Sequence, residues 1–338
     1  MNKNISIVIP VYNGQRTIKE CLASIFRAEC SNYEVIVVDD CSTDNSLKIA
    51  QSFPCKIIKL DERRGPGFAR DKGAAVAEGE IVAFLDADCI IPQDWLTKIN
   101  KKLNPQIIGL GGRYLLPEKM SKFSQILLSY QDIKNIFYAK PQENISFSGG
   151  NCAFWRAALL QRTEKKELSL CNKMVGGEDT TMCYELSRLG KLIYDPDLTV
   201  LHNKADSPWG ILKSAVRYGY TGAVVAGQYG NLLIRERHRV YKGIVYLFSI
   251  TLLLLPPIFL FTFKNFAYSR FFIGYLIIQL PIAIFLNQRL SLGWGLILMP
   301  AGVFLTDTAH FIGHLKRIHE NFLHMVLPSK MLKNRGIF

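Results

Sequence analysis

The sequence predicts an α/β protein in which a mostly parallel sheet, within residues 1–204, precedes helices that cross or lie on a membrane. Short apolar runs alternate with stretches of helical periodicity in the first part of the chain, whereas long uncharged apolar runs follow residue 242. We expect a globular domain at 1–204, a basic juxtamembrane linker at 205–242, membrane segments at 243–313 and a basic tail at 314–338.

Four apolar runs are typical of buried strands, because each is short, rich in β-branched residues and bounded by turn or polar residues. Residues 15–28, 43–52 and 66–78 show helical spacing between them, and Gly79 closes the last stretch. Strands that alternate with helices predict parallel pairing through right-handed crossovers. The four runs are ISIVIPVY, YEVIVVDD, CKIIKL and EIVAFLDAD.

The net charge of +13 is concentrated after residue 204, where 14 basic residues accompany 4 acidic ones. This charge borders apolar stretches and forms no stripe with aromatic residues, which favours membrane lipids as partners and argues against nucleic acid. Residues 243–263 and 271–287 are uncharged and approach the length of about 20 residues that a bilayer crossing needs. A third run at 292–313 contains Asp307 and His310, so we expect it to lie in the interface, with three crossings as the alternative.

Both ends of this region are basic, and by the positive-inside rule both should face the cytoplasm. The N-terminus does not resemble a signal peptide, because its apolar run is short and is broken by Pro10. We therefore expect a cytoplasmic first domain attached to the inner or plasma membrane. The eight cysteines lack CxxC spacing, which indicates thiols in a reducing compartment.

Polar residues follow three of the predicted strands, and ligands of open α/β sheets bind at the carboxyl ends of strands. Asp86 and Asp88 would point the same way from an extended segment and present two oxygen ligands to Mg²⁺ or Mn²⁺, which can bridge nucleotide phosphates. The triplet alone is a weak signal, since a second one stands at 195–197. The residues at the three strand ends are Asn13, Asp39, Asp40, Asp86 and Asp88.

Five ordered motifs between about residues 4 and 204 resemble the family 2 inverting glycosyltransferases, which have the GT-A fold. Their order and spacing are far more specific than any one of them. The resemblance implies transfer of a sugar from a nucleotide-diphosphate donor with the help of a divalent cation, Mn²⁺ or Mg²⁺. The motifs are SIVIPVYNG, VIVVDDCSTDNS, RGPGFARDKGAAVAEGEIVAFLDADC, FSGGNCAFWRAAL and GGEDTTMCYELSRLG.

The resemblance assigns the donor site residue by residue. Asp88 would be the main metal ligand, and Asp86 would lie near the ribose or contact the metal through water. Asp40 would accept a hydrogen bond from a uracil ring in a pocket shaped by Pro10 and Tyr12, while Asp39 supports the loop. Arg70 would approach the donor, but Asp71 stands where family members commonly have Asn, which places a neighbouring donor contact in doubt.

The resemblance also implies a base for the acceptor hydroxyl. Asp179 opens a helical pattern and would be this base at the positive end of the helix, with Glu178 as an acceptor contact or orienting partner; an ordinary helix cap is the alternative. Gly149 and Gly150 would let the backbone approach the donor sugar, unless they form a plain turn. His202 would be a third metal ligand, as in some GT-A enzymes, or a structural histidine.

Processive membrane synthases of this family carry a Q-x-x-R-W motif at the position of residues 209–222. Arg217 is present as a possible diphosphate contact, but Tyr218 follows it and Ser214 replaces the glutamine. The full motif is absent, which favours transfer of single sugars.

Together these features predict a membrane-attached transferase that favours a UDP-sugar and acts on a lipid-linked or cell-envelope glycan acceptor. An enzyme held at the bilayer can meet a lipid-linked sugar without extracting it. Two alternatives remain open: a processive polysaccharide synthase, which needs a translocation pore, and a non-catalytic scaffold of an envelope glycan assembly complex.

Overall fold

The computed structural model describes residues 4–117, 141–143, 147–164, 178–203 and 210. Within these ranges, strands and helices alternate in the first half and strands dominate the second. The strands are β1 (Ile5–Val11), β2 (Tyr33–Asp39), β3 (Lys56–Lys59), β4 (Ile81–Leu85), β5 (Cys89–Ile90), β6 (Ile107–Leu115), β7 (Gln142–Glu143), β8 (Asn151–Trp155) and β9 (Lys191–His202). The helices are α1 (Ile18–Ile25), α2 (Ser46–Ala50), α3 (Pro66–Ala75), α4 (Trp95–Lys102), α5 (Arg156–Glu164) and α6 (Glu178–Ser187).

These strands form one mixed sheet in the order β3-β2-β1-β4-β8-β6-β9-β5, with β7 paired to β9. The prediction of parallel pairing is confirmed for β1 to β4, which are joined through α1, α2 and α3. The rest departs from a mostly parallel sheet, because β8 runs antiparallel to both β4 and β6, and β9 runs antiparallel to β5 and β7. Only β6 and β9 pair in parallel there. Helix α4 lies between β5 and β6 along the chain, and α5 and α6 lie between β8 and β9, but neither of these strand pairs is adjacent in the sheet.

The core lies on both faces of the sheet. Alternate residues of β1 point to opposite sides, so Ile7 and Ile9 pack with α1 and α4, whereas Val8 packs with α3 and α6. Helix α3 lies very close to the sheet at Gly73, where a β-carbon would stand 2.3 Å from a methyl group of Val8. This close contact brings the polar residues of α3 to the carboxyl ends of β1 and β4.

The membrane segments predicted at 243–263, 271–287 and 292–313, and the linker and tail beside them, lie outside the described residues. Among the helices of the described ranges, none has the length and apolar character of a membrane crossing.

Candidate active site

Arg70 forms the floor of the candidate site, on α3, and only 5% of its surface is exposed. Its Nη2 donates a hydrogen bond to Oδ1 of Asp86 over 2.7 Å, and its Nη1 donates to Oε1 of Glu178 over 3.3 Å. Burial alone would lower the pKa of Arg70, but the carboxylates of Asp86 and Glu178 raise it above its ordinary value. The guanidinium therefore carries a permanent charge that connects the end of β4 with the start of α6.

The glycine turn before β8 packs on this ion-pair network, and its two glycines leave no room for side chains. A β-carbon on Gly149 would stand 2.9 Å from the guanidinium carbon of Arg70, and one on Gly150 would stand 2.0 Å from the carboxyl carbon of Asp86. The carbonyl of Gly150 accepts a hydrogen bond from the backbone N–H of Asp86 over 3.2 Å. These glycines are thus required by the close approach of the backbone to two charged side chains.

Glu178 and Asp179 open α6, as the sequence predicts. Oδ1 of Asp179 accepts a hydrogen bond from the N–H of Thr180 over 2.7 Å, and Oδ2 accepts one from the N–H of Gly149 over 3.3 Å. Burial raises the pKa of Glu178, which Arg70 partly offsets and Asp179 raises further. Oε2 of Glu178 is buried and has no hydrogen-bond partner within the described ranges. Asp179 lies in the first turn of α6, after Glu178, and not at the cap position before the helix, while its role as a base stays a prediction.

Asp88 and His202 come together from neighbouring strands. Oδ2 of Asp88 lies 3.2 Å from Nε2 of His202, and Cys89 stands opposite His202 where β5 pairs with β9. Ligand atoms at right angles around an octahedral ion, each at about 2.1 Å, would be about 3.0 Å apart, so this pair fits a hard divalent cation. The Sγ of Cys89 lies within 4.8 Å of both. Burial raises the pKa of this thiol far above its ordinary range, and a soft sulfur ligand is less suited than oxygen to Mg²⁺ or Mn²⁺.

The segment from Asp86 to Asp88 forms a turn and not the extended segment that the sequence predicts. Strand β4 ends at Leu85, and a turn follows in which the N–H of Cys89 donates to the carbonyl of Asp86 over 3.0 Å. The turn directs Asp86 to Arg70 and Asp88 to His202. A direct metal contact by Asp86 remains a prediction, whereas its position beside the glycine turn and α6 is a feature of the fold.

The predicted nucleobase pocket lies at the ends of β1 and β2. Pro10 is buried within β1, whereas Tyr12 is 39% exposed and has the guanidinium of Arg63 at 4.0 Å from its ring centroid. The two carboxylate oxygens of Asp40 accept the N–H groups of residues 64 and 65 over 2.7 and 2.8 Å, so this side chain shapes the loop that covers the pocket.

Asp39 is also buried beside this pocket. Its Oδ1 accepts a hydrogen bond from the N–H of Ser42 over 3.3 Å, in agreement with the expected support of the loop. Its Oδ2 is buried and has no partner in the described part of the chain. Contact of Asp40 with a base stays a prediction, and loop support involves both aspartates.

Asp71 is bound to a residue that the sequence analysis missed. Its carboxylate forms an ion pair with Arg162 of α5, whose Nη1 lies 3.4 Å from Glu185 of α6. Burial raises the pKa of Asp71, and Arg162 partly offsets this rise. The departure from the asparagine of the resembled family therefore coincides with a buried arginine that joins α3, α5 and α6.

Tyr114 on β6 is the second missed residue. Its ring stacks on His202 with centroids 4.7 Å apart, and its hydroxyl lies 3.4 Å from Oδ2 of Asp86. No local pattern in the sequence identifies Tyr114 or Arg162, because their partners are distant along the chain. Arg217, in contrast, was predicted at the site but lies outside the described residues.

The mixed sheet and the acidic groups at its strand ends define a GT-A architecture, and comparison of structures supports this. A mannosyltransferase of Pyrobaculum calidifontis, solved in complex with GDP-Man and Mn²⁺, is similar with a TM-score of 0.58. The similarity covers 92% of this chain and 87% of that one at 18% sequence identity. At this identity, the similarity concerns the fold.

The family model described as Glycosyl transferase family 2 matches residues 6–162. This match confirms, for that part of the chain, the resemblance to glycosyltransferase family 2 that the motifs predict. The match ends before Glu178 and Asp179, so the assignment of the acid pair depends on the geometry.

Curated relatives match shorter segments. The chain is 31% identical over 130 residues to the glycosyltransferase GlyG of Streptococcus pneumoniae, which covers 36% of this chain and 43% of that protein. It is 35% identical over 155 residues to a poly(ribitol-phosphate) beta-glucosyltransferase of Bacillus spizizenii, which covers 41% of this chain and 24% of that protein. The matched segments thus span less than half of either relative.

Proposed function

We propose that this protein is a cation-dependent, inverting glycosyltransferase that moves a sugar from a nucleotide-diphosphate donor to a hydroxyl of an acceptor. One observation carries the proposal: Arg70 joins Asp86, next to the candidate cation ligands, to Glu178, next to the candidate base. These two ion pairs link the proposed cation site to the proposed base, which supports a reaction at this edge of the sheet.

Each residue then has a chemical role. Asp88 and His202 would hold the cation, which would supply Lewis acidity that stabilises the negative charge of the departing nucleoside diphosphate. Asp179 accepts the proton of the acceptor hydroxyl while the oxygen bonds to the anomeric carbon. The bond between that carbon and the diphosphate breaks, and the diphosphate leaves with the electron pair. Attack opposite the leaving group inverts the anomeric centre.

The donor class, the acceptor and membrane attachment belong to the same proposal. A nucleobase pocket around Tyr12 and Asp40 supports a nucleotide sugar, and we favour a UDP-sugar. The uncharged runs at 243–263 and 271–287 support attachment to the inner or plasma membrane and an acceptor that is lipid-linked or part of a cell-envelope glycan. Two relatives are named as poly(ribitol-phosphate) glycosyltransferases, which supports a polymeric acceptor.

The test is release of nucleotide from a panel of UDP- and GDP-sugars, with and without membrane lipid extract and with and without EDTA. We expect one donor to be consumed faster when extract is present, and chelation to abolish turnover. Asp179→Asn should keep donor affinity and lower turnover by about 10²-fold or more. Turnover in excess EDTA would refute the cation role, and full turnover of Asp179→Asn would place the base elsewhere.

A matched pair of variants tests the cation ligands. Asp88→Asn should remove Mn²⁺-dependent nucleotide binding. Asp197→Asn, in the second acidic triplet, should retain it, because Asp197 is exposed and lies 3.9 Å from Lys102. Equal behaviour of the two variants would contradict the assignment of Asp88.

A further inference from the structure

Tyr114 contacts both Asp86 of the acidic turn and His202 of β9, the partner of Asp88. It lies near the end of β6, where Tyr114 pairs in register with Val200 of the parallel strand β9, two residues before His202. Its ring stacks on the imidazole of His202 at a centroid distance of 4.7 Å and an interplanar angle of 28°. An aromatic stack of this kind restricts the rotation of the imidazole, whose Nε2 then faces Asp88 at 3.2 Å.

The hydroxyl of Tyr114 contacts Ser148 and Asp86. It accepts a hydrogen bond from Oγ of Ser148 over 2.8 Å, which leaves its own hydrogen free to point at Oδ2 of Asp86 over 3.4 Å. Burial, with the charge of Asp86, raises the pKa of Tyr114 well above its ordinary value, so the hydroxyl remains a donor. Both contacts connect Tyr114 to polar groups of the site.

We propose that Tyr114 is a positioning residue that holds His202 through its ring and Asp86 through its hydroxyl. This inference depends on the proposed cation-assisted donor site. The ring fixes the direction in which the imidazole presents Nε2, and the hydroxyl complements Arg70 on the second oxygen of Asp86. Residues that orient metal ligands in this way typically change metal affinity by about 10- to 100-fold when they are replaced.

Two variants separate the two contacts. Tyr114→Phe keeps the ring and removes the hydroxyl, so Mn²⁺ affinity without nucleotide should stay within about threefold of the parent, and UDP affinity should fall by about 2- to 10-fold for one lost hydrogen bond. Tyr114→Met keeps an adaptable apolar side chain and removes the stack. It should weaken Mn²⁺ binding by about 10-fold or more.

The matched control is Tyr33→Met. Tyr33 also packs on an aromatic ring, that of Phe26, and its hydroxyl donates to the carbonyl of Ile25. It is the first residue of β2 and therefore lies at the amino ends of the parallel strands, whereas the candidate site lies at their carboxyl ends. The control should change thermal stability without changing Mn²⁺ affinity. Tyr114→Phe supplies a conservative variant in case Tyr114→Met does not fold.

The measurement uses the full chain and follows free Mn²⁺ by electron paramagnetic resonance, with and without UDP, so that it does not depend on turnover. Wild-type binding together with a loss confined to Tyr114→Met would support the inference. Wild-type binding with unchanged affinity in Tyr114→Met would overturn the role of Tyr114 and leave the proposed function intact. Absence of Mn²⁺ binding by the wild type would overturn both.

Discussion

Arg70 shows how one buried charge can organise an acidic site. The N–H groups of a buried guanidinium need hydrogen-bond acceptors, and Asp86 and Glu178 supply them. Burial destabilises the charged form of Glu178 and raises its pKa, and the neighbouring Arg70 offsets only part of this rise. The site therefore contains an acid whose charged form is less stable in the folded protein than in the unfolded chain.

The raised pKa of Glu178 predicts a stability change with pH. Well below the ordinary Glu pKa of 4.5, the carboxyl is protonated in both the folded and the unfolded state and contributes nothing to the pH dependence. As the pH rises above that value, the unfolded chain releases the proton before the folded protein does. The free energy of unfolding therefore falls, until the pH exceeds the folded-state pKa. Glu178→Gln should thus raise Tm relative to wild type at pH 7.5 and leave Tm nearly unchanged at pH 4. Equal Tm differences at both pH values would contradict this.

Gly150 provides a second test at the residue scale. Its missing side chain leaves the space that the Asp86 carboxylate occupies, since a β-carbon would stand 2.0 Å from that group. Gly150→Ala should displace Asp86 from Arg70 and weaken donor binding by at least about 10-fold, on the scale of a disturbed ligand-orienting group. Isothermal titration with UDP measures this.

Gly190→Ala is the matched control, because its β-carbon would meet only the side chain of Ile108, at 2.7 Å, away from the acidic groups. This side chain is not part of the candidate site, so donor binding should survive its displacement. If both alanine variants bind UDP as well as wild type, the glycine turn does not control Asp86.

The sequence predicts which residues form the candidate site better than it predicts the side chains that they contact. The motifs predict Asp88, Asp179 and His202 as site residues, and the fold brings Asp88 beside His202 and Asp179 beside the glycine turn. The triplet at 195–197 looks the same in sequence, yet Asp195 is buried in an ion pair with Lys102 and serves the structure. The partnerships of Tyr114 and Arg162 depend on long-range packing, which spacing does not encode.

At the scale of elements, three helices on one face of the sheet are joined by Arg162. This residue of α5 has only 2% of its side chain exposed, and it pairs with Asp71 of α3 and Glu185 of α6. Arg70 and Glu178 lie on the same two outer helices. The ion pairs of Arg162 thus help to hold α3 and α6 at the separation at which Arg70 contacts Glu178.

Arg162→Met should strongly destabilise the fold, because it leaves two carboxylates beside an apolar side chain. Removing one partner of a buried ion pair costs about 3–5 kcal/mol. At about 2–4 °C per kcal/mol, Tm should fall by about 6 °C or more. Lys98→Met, which breaks a partly exposed pair with Asp94 on α4, should lower Tm by about 2 °C or less. Similar losses in the two variants would show that Arg162 does not join the helices.

The parallel half of the sheet could be predicted because its strands are continuous apolar runs separated by helices. Strand β6 could not, since its sequence IIGLGGRYL contains three glycines and reads poorly as a strand. The structure explains two of them: β-carbons on Gly109 and Gly111 would stand 2.5 and 2.2 Å from the rings of Phe154 and Phe147. Aromatic packing across the sheet outweighs local strand propensity there.

At the scale of the whole molecule, the charge distribution is the main feature that the described residues do not explain. Residues 205–338 carry 14 basic and 4 acidic side chains around uncharged apolar runs. We propose two crossings, at 243–263 and 271–287, with 292–313 in the interface. Basic residues precede the first run and follow the last, whereas the short link 264–270 has two. An even number of crossings keeps both basic ends in the cytoplasm.

Single added cysteines test this topology in intact cells with a membrane-impermeant thiol reagent. Ala267→Cys should be labelled, and Lys330→Cys should be labelled only after permeabilisation. The native cysteines can stay, because all eight precede residue 184 and would be shielded with a cytoplasmic domain. The parent chain controls for them: labelling of the parent in intact cells would contradict the cytoplasmic domain. Labelling of Lys330→Cys in intact cells, with an unlabelled parent, would favour three crossings. The proposed chemistry does not depend on this result, since Arg70, Asp88 and Asp179 are held by contacts within the first 204 residues.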